Sequence, residues 1–186
     1  MRQVQLPFTR EVLKELAAGD ELYLTGTLYA ARDAAHRRLV ELIRRGEPLP
    51  FDPAGQTVYY VGPSPAPPGR IIGAAGPTTS YRMDPYLEPL LERGLLATIG
   101  KGRRGREARQ AMLRHGAVYL AAVGGLGALL SQRIRAVEVV AFPELGTEAL
   151  RRMEVAAFPV LVVNDLAGRD LYEEGAVRYL REGEAP

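Results

Sequence analysis

The chain has 186 residues, of which 47% are hydrophobic and 25% charged, and its formal net charge is +2. That length and mix suit one folded domain with a substantial core and exclude a disordered or fibrous chain. With no cysteine in the sequence, disulfides, thiolate metal sites, cysteine-ligated iron–sulfur clusters and cysteine nucleophiles are excluded from this chain's own chemistry.

Thr9 to Ala17 reads as a short helix with Thr9 as N-cap, followed by a Gly19-Asp20 turn and an alternating strand, Glu21 to Leu28. A helix is predicted over Asp33 to Arg45, where Leu39, Leu42 and Ile43 share a face. Two proline-rich loops, Gly46 to Gly55 and Gly62 to Gly69, flank a strand at Thr57 to Val61. Arg70 to Ala75 is expected as a buried strand running into Gly76-Pro-Thr-Thr-Ser80, then a helix over Pro85 to Arg93. Next come a strand at Leu95 to Ile99, a basic helix from Arg103 to Arg114 and a strand at Ala117 to Val123. A Gly124-Gly125 turn opens a short helix to Gln132, and Ala136 to Phe142 is a strand. Glu148 to Val155 fits either element, Val160 to Val163 is a strand, a second short strand ends at Tyr172, and Glu173 to Pro186 is a surface helix and tail. Alternating strands and helices imply a single α/β domain over residues 1–186, with a mixed sheet flanked by helices.

The longest apolar stretch, Ala117 to Leu130, is interrupted by glycines and too short for a bilayer span. The first residues lack the apolar run of a signal peptide, so a cytoplasmic chain without a membrane anchor is expected. The cluster Lys101, Arg103, Arg104, Arg106, Arg109 and Arg114 faces only Glu107 in its own stretch. No aromatic residue is interleaved there for base stacking, so a solvated or subunit-facing surface is expected rather than a nucleic-acid site.

Gly100-Lys-Gly-Arg-Arg-Gly105 has the formal spacing of a dinucleotide-binding turn, but no Asp or Glu lies between Glu107 and Glu138 to hold a ribose. A Walker A loop fails because Leu95 occupies its first glycine position and Gly102 its Ser/Thr position. Gly73 to Asp84 (GAAGPTTSYRMD) offers backbone N–H groups, the hydroxyls of Thr78, Thr79 and Ser80, and the charge of Arg82 to one anion. The plainer reading is a helix cap, although no Glu or Gln follows at capping-box spacing. Arg32, at a strand-to-helix junction, can aim at the same end of the sheet. Asp33 and His36 sit one turn apart on the helix that follows, and their plainer reading is a cap at Asp33 and a surface or half-buried His36. With two histidines in the chain, a multi-histidine metal site or a Ser-His-Asp triad has little support.

Three separated segments, TLYAARDAAHRRL (from Thr27), IGAAGPTTSYRMDPY (from Ile72) and IGKG (from Ile99), resemble the C-terminal or β-subunit domain of class I iron–sulfur fumarases and L-tartrate dehydratases. GAVYLAAVGG from Gly116 and PELGTEALRRMEVAAFPVLVVND from Pro143 look like the rest of that domain. The resemblance implies a swivelling β/β/α domain that completes an active site with a larger α subunit, in a hetero-oligomer for which α2β2 is one arrangement. It implies a 4Fe–4S cluster held by the α subunit on three cysteines, with one iron open to substrate, and no cofactor or metal bound by this chain. Carried onto this sequence, Arg32, Thr79, Arg82 and Lys101 would bind a C4 dicarboxylate, and Thr78 would move the proton on the carbon beside a carboxylate. Ser80 would shape the loop, and Asp33 and His36 would support the site from behind.

The chemistry is consistent with those residue types. Planar arginines grip both ends of a diacid, and fixed cations stabilise charge that builds on a carboxylate as the adjacent C–H breaks. The departing hydroxide needs a Lewis acid, which an open iron could supply. A threonine without help is a poor base and needs the arginines, a partner carboxylate or both. The expected reaction is reversible hydration of fumarate to (S)-malate, with L-tartrate dehydration as the alternative. A non-catalytic anion-binding module is the alternative of a different class.

Overall fold

The structure, a computed structural model, describes residues 2–179. Its strands are β1 (Arg2–Gln5), β2 (Glu21–Ala30), β3 (Thr57–Tyr59), β4 (Ala97–Gly100), β5 (Val118–Ala121), β6 (Ile134–Ala141) and β7 (Leu150–Asn164). Its helices are α1 (Arg10–Lys14), α2 (Asp33–Arg45), α3 (Asp84–Leu91), α4 (Arg106–His115), α5 (Gly127–Ser131) and α6 (Leu171–Tyr179), with 3-10 turns at Ser80–Met83 and Pro143–Glu148. The strands form one mixed sheet in the order β1-β2-β3-β4-β5-β7-β6, and a further β2–β7 pairing closes β2, β3, β4, β5 and β7 into a barrel. The pairs from β1 through β5 are parallel, while β7 runs antiparallel to β2, β5 and β6.

Side-chain alternation sorts the core into two layers. Tyr59 and Val61 belong to the inner cluster, while Val58 and Tyr60 between and beside them belong to the outer one. Val118 and Leu120 likewise enter the inner cluster and Tyr119 the outer. Leu22, Leu24, Leu28, Phe158 and Val162 fill the inner layer. Leu39 of α2, Leu87 and Leu90 of α3 and Met112 of α4 cover the outer face of the parallel strands, as sheets of this kind require.

The α/β class, the mixed sheet and most elements match expectation; four local readings do not. Arg70 to Ala75 is no strand: Ala75 N–H donates to Gly127 O, Ala74 N–H to Ser64 Oγ and Ser64 N–H to Ala74 O, and Ala75 O accepts from Tyr59 Oη. The polar groups of Ala74 and Ala75 are satisfied by backbone outside any strand and by two side chains, so burial of Ile72 and Ala75 reflects packing without a ladder. The stretches around Glu148–Val155 and Val160–Val163 merge into the single strand β7. Pro159 obscured this, yet it sits where β6 has left (last pair at Val155) and β5 has not arrived (first pair at Leu161). Pro159 keeps its place opposite Tyr23 of β2, and on the edge that β6 and β5 share its missing N–H interrupts no ladder. Instead of a strand ending at Tyr172, α6 begins at Leu171. The strand β1 was not anticipated at all. Residues 180–186 of the expected C-terminal tail lie outside the described residues.

Candidate active site

The parallel strands β2 to β5 end on the same edge of the barrel, where sheets of this kind bind ligands. The Thr78 loop is built into that edge. Thr78 N–H donates to Tyr60 O at 2.7 Å, Lys101 N–H to Thr78 O at 3.1 Å and Ser80 N–H to Lys101 O at 2.8 Å. The loop therefore fits between the extensions of β3 and β4, with Thr79 bridged in parallel to Lys101. The fit needs glycine at 100: a Cβ there would collide with Ser80 Oγ and stand 3.0 Å from the Tyr60 ring and 3.1 Å from Thr78 O. Thr78 and Thr79 are half-buried and Lys101 is exposed. Among the described residues the Thr78 and Thr79 hydroxyls and the Lys101 ammonium have no side-chain hydrogen-bond or ion-pair partner, leaving all three free to meet a ligand. The Lys101 chain runs over Gly124, its Cδ 3.3 Å from where a Cβ would stand.

The second group of charges sits at the end of β2. Asp33 Oδ1 accepts from Arg82 Nε at 3.0 Å, and Asp33 Oδ2 lies 3.6 Å from Arg32 Nε. Arg32 also pairs with Glu148 at 3.5 Å. Glu148 itself caps α2, accepting from Ala34 N–H at 2.9 Å. Asp33 is thus not the expected cap: Arg32 is the N-cap residue and makes no side-chain capping bond, while Glu148 supplies the oxygen. Gly62 makes room for the arginine, because a Cβ there would stand 2.8 Å from Arg32 Cδ and 2.9 Å from Nη1. Arg32 Nε is buried and without a hydrogen bond. The rim as a whole sets Arg32, Arg82 and Lys101 against Asp33 and Glu148, an arrangement with donors left over for an anion.

His36 is buried, contrary to the surface reading, with 1% of its area exposed. Its Nδ1–H donates to Arg32 O at 2.8 Å, and its ring meets Tyr60 edge-on at 5.3 Å. Burial lowers its pKa to about 4 against the opposing pull of that hydrogen bond, so the ring is neutral near pH 7 and Nδ1 carries the proton. His36 therefore braces the backbone of Arg32 from below and does not face the rim.

Beneath both loops runs a buried polar network absent from the sequence reading. Arg104, expected on a solvated helix face, has no side-chain exposure. Its Nε lies 2.7 Å from Asp84 Oδ1, although the N–H is not aligned on that oxygen, and Nη1 donates to Tyr60 Oη at 3.1 Å. Its guanidinium stands 5.3 Å from the Tyr60 ring centroid and 5.4 Å from that of Tyr119. Tyr119 Oη accepts from Ser80 Oγ at 2.9 Å and donates to Gly102 O at 2.8 Å. Burial raises the Tyr119 pKa and keeps that hydroxyl protonated. Ser80, fully buried, thus ties the Thr78 loop to the Gly100–Gly102 turn through Tyr119, with Arg104 held between the two tyrosines. Two further members of the basic run are ion-paired: Arg109 with Asp170 and Glu173, and Arg114 with Glu88. The one sequence signal for Arg104 is its place in a glycine-flanked turn just ahead of α4; its pairing acid, Asp84, opens α3 far upstream, and its neighbours Arg103 and Arg106 hid it.

The structure therefore brings Thr78, Thr79, Ser80 and Lys101 together through backbone bonds, and Arg32, Asp33 and Arg82 through ion pairs. Both groups stand at one end of the barrel, with His36 behind them. Among the described residues no three His, Cys, Asp or Glu side chains form a group able to hold a metal ion, and no helix is long and apolar enough to cross a membrane.

Residues 1–175 match the family profile described as "Fumarase C-terminus". The chain is 40% identical over 167 residues to "Fumarate hydratase 2" of Leishmania major, covering 89% of this chain and 29% of that protein. It is 39% identical over 170 residues to "Fumarate hydratase class I, anaerobic" of Escherichia coli K12, covering 89% and 31%. It is also 38% identical over 172 residues to a provisionally named L(+)-tartrate dehydratase subunit beta of Methanocaldococcus jannaschii, covering 89% and 88%. The chain thus spans about a third of the fumarate hydratases it matches but most of that subunit. A profile match along nearly the whole chain, with relatives well above 30% identity, makes this protein a member of the fumarase C-terminus family.

Proposed function

We propose that this chain is the β subunit of an iron–sulfur-dependent hydro-lyase that interconverts fumarate and (S)-malate in the cytoplasm, active only with a cluster-bearing α subunit. The observation that carries the reading is the joining of Thr78 and Lys101 by backbone bonds beside the Arg32–Asp33–Arg82 cluster. In this reading Arg32 and Arg82 clamp the substrate carboxylates, with Asp33 keeping their forks apart and oriented. Lys101 supplies a mobile ammonium for the oxygen that gains charge as the C–H bond breaks. Thr78 holds the proton at Oγ1, and Thr79 donates a hydrogen bond to the bound diacid. Among the described residues the hydroxyl of Thr78 has no acceptor, so in this reading the group that completes its proton transfer comes from the partner or from the substrate itself.

With no cysteine in the sequence, the residues present do not fit a cluster, and the proposal assigns it to the α subunit, together with the departure of hydroxide. This chain would act as the swivelling half of the site, closing its cationic rim over a substrate held by the partner. The exposure of Lys101 and Arg82 is consistent with a half-site. L-Tartrate dehydration is the second reading, favoured by the match along 88% of the M. jannaschii subunit.

The test is anaerobic co-expression with a cluster-bearing α subunit and assay of fumarate, malate and L-tartrate. Fumarate–malate turnover establishes the first reading and tartrate turnover the second. A co-purified complex with an intact cluster and neither activity refutes both, and hydration of fumarate by this chain alone refutes the shared site.

A further inference from the structure

Away from the candidate site, an open cleft of about 590 Å³ is lined by Arg70 and Ile72 on one side and by Ser131, Arg133, Ile134 and Arg135 on the other. Its size is that of a small-molecule site. Arg70 leaves a turn closed by its own N–H to Pro67 O. Arg133, in the turn before β6, and Arg135, at the register shift between Ile134 and Ala136, both line the cleft on either side of Ile134, whose own side chain is buried in the inner core. All three arginines are exposed. The cleft lining contains no carboxylate, and among the described residues none of the three has an ion pair. By contrast, Arg2, Arg82, Arg109, Arg114 and Arg169 are each ion-paired. Three guanidinium groups around one concavity with no counter-charge repel one another, and an anion spanning them relieves that repulsion while filling several donor forks.

We propose that this cleft is a second anion-binding site, separate from the candidate active site, for a small ligand carrying at least two adjacent phosphate or carboxylate groups. The apolar side chains of Ile71 and Ile72 at its wall leave room for a non-ionic portion. Both walls continue into the candidate site. Ile72 leads through Ala75, bonded to Gly127 O, to Thr78, and Ser131 ends the helix that follows Gly124, which backs Lys101. An anion bridging Arg70 to Arg133 and Arg135 therefore tethers the two segments that carry and back the site's loops. The inference does not depend on the hydro-lyase reading.

The experiment is calorimetric titration of the full chain with inorganic pyrophosphate, at low and at physiological salt. Saturable binding with a dissociation constant below about 1 mM is expected, weakening as salt rises. Arg133→Ser/Arg135→Ser should weaken it at least tenfold, and Arg70→Ser alone, on the opposite wall, should weaken it severalfold. Thermal melts of these surface variants should match the parent. Arg82→Ala/Lys101→Ala should bind pyrophosphate as the parent does. Absence of binding, equal binding by the cleft variants, or loss of binding only in the Arg82→Ala/Lys101→Ala variant overturns the proposal. So does loss of binding in the assembled complex, which would identify the occupant as an acidic segment of the partner instead.

Discussion

Replacing Arg104 with methionine removes a buried charge while keeping most of the side-chain volume. The change deletes the 2.7 Å pairing with Asp84, the 3.1 Å hydrogen bond to Tyr60 and two cation–π contacts. It leaves Asp84, with 18% side-chain exposure, facing the core with Gly105 N–H as its remaining partner. Burial already raises the Asp84 carboxyl against the pull of Arg104, so losing the cation adds to that cost. Breaking one side of such a pair costs about 3–5 kcal/mol. For a chain of this size about 2–4 °C of melting temperature accompanies each kcal/mol, so a fall of about 6–20 °C is expected. The assay is urea and thermal unfolding followed by circular dichroism, on Arg104→Met, Asp84→Leu and the double variant. Because the double variant buries neither charge alone, it should be more stable than additivity predicts by about 1–3 kcal/mol. A loss below about 1 kcal/mol for Arg104→Met, or strict additivity in the cycle, would refute the account of Arg104 as a buried, pair-dependent strut.

Thr78→Ala should cut turnover of the assembled enzyme by about 100-fold or more while the melting temperature and cluster spectrum stay at parental values; loss of the cluster would give Thr78 a structural role instead. Gly62→Ala places a Cβ 2.8 Å from Arg32 Cδ and should displace that flexible side chain, raising KM about tenfold or more with a smaller effect on kcat; an unchanged KM would remove Arg32 from the substrate grip. His36 is held neutral with a pKa near 4, below its unfolded value of about 6.5. The unfolded chain binds the extra proton between those two values, so His36's contribution is complete above about pH 6.5 and is lost as pH falls toward 4, about 3 kcal/mol in all. His36→Gln should flatten the stability slope across that window, and an unaltered slope would assign acid sensitivity to other groups.

Local chemistry was legible in the sequence wherever it was decided locally. Thr9 caps α1 through Val12 N–H at 3.3 Å, and α2 runs over Asp33–Arg45 because its apolar spacing and the Gly46 stop sit within one short window. The grouping of Thr78, Arg82, Lys101 and Arg32 came from motif resemblance, and the strand ends supply the physical reason for it. What remained hidden depends on partners far along the chain. Closure of the barrel rests on pairs such as Leu22 with Val160, which no periodicity reveals. Glu148 caps a helix that begins more than a hundred residues earlier, so Asp33 looked like the cap. Arg104 was masked by equally basic neighbours whose side chains remain at the surface, and Pro159 cut a long strand in two because the gap between its two neighbouring strands is a tertiary property.

The insertion of the Thr78 loop between β3 and β4 bears on how this site can change. Main-chain rungs fix the positions of residues 78 and 101, and at residue 80 the rung is reinforced by the Ser80 hydroxyl on Tyr119. The hydroxyls and the ammonium that would meet substrate are therefore interchangeable fittings on a fixed frame. Thr79 or Lys101 can be exchanged for another side chain without displacing its neighbours, which gives a short mutational route between related diacids. The positions closed to such drift are those with nothing to present. Gly100, pressed against Ser80, Tyr60 and Thr78, keeps the frame in register, and any library built to alter specificity should leave it untouched.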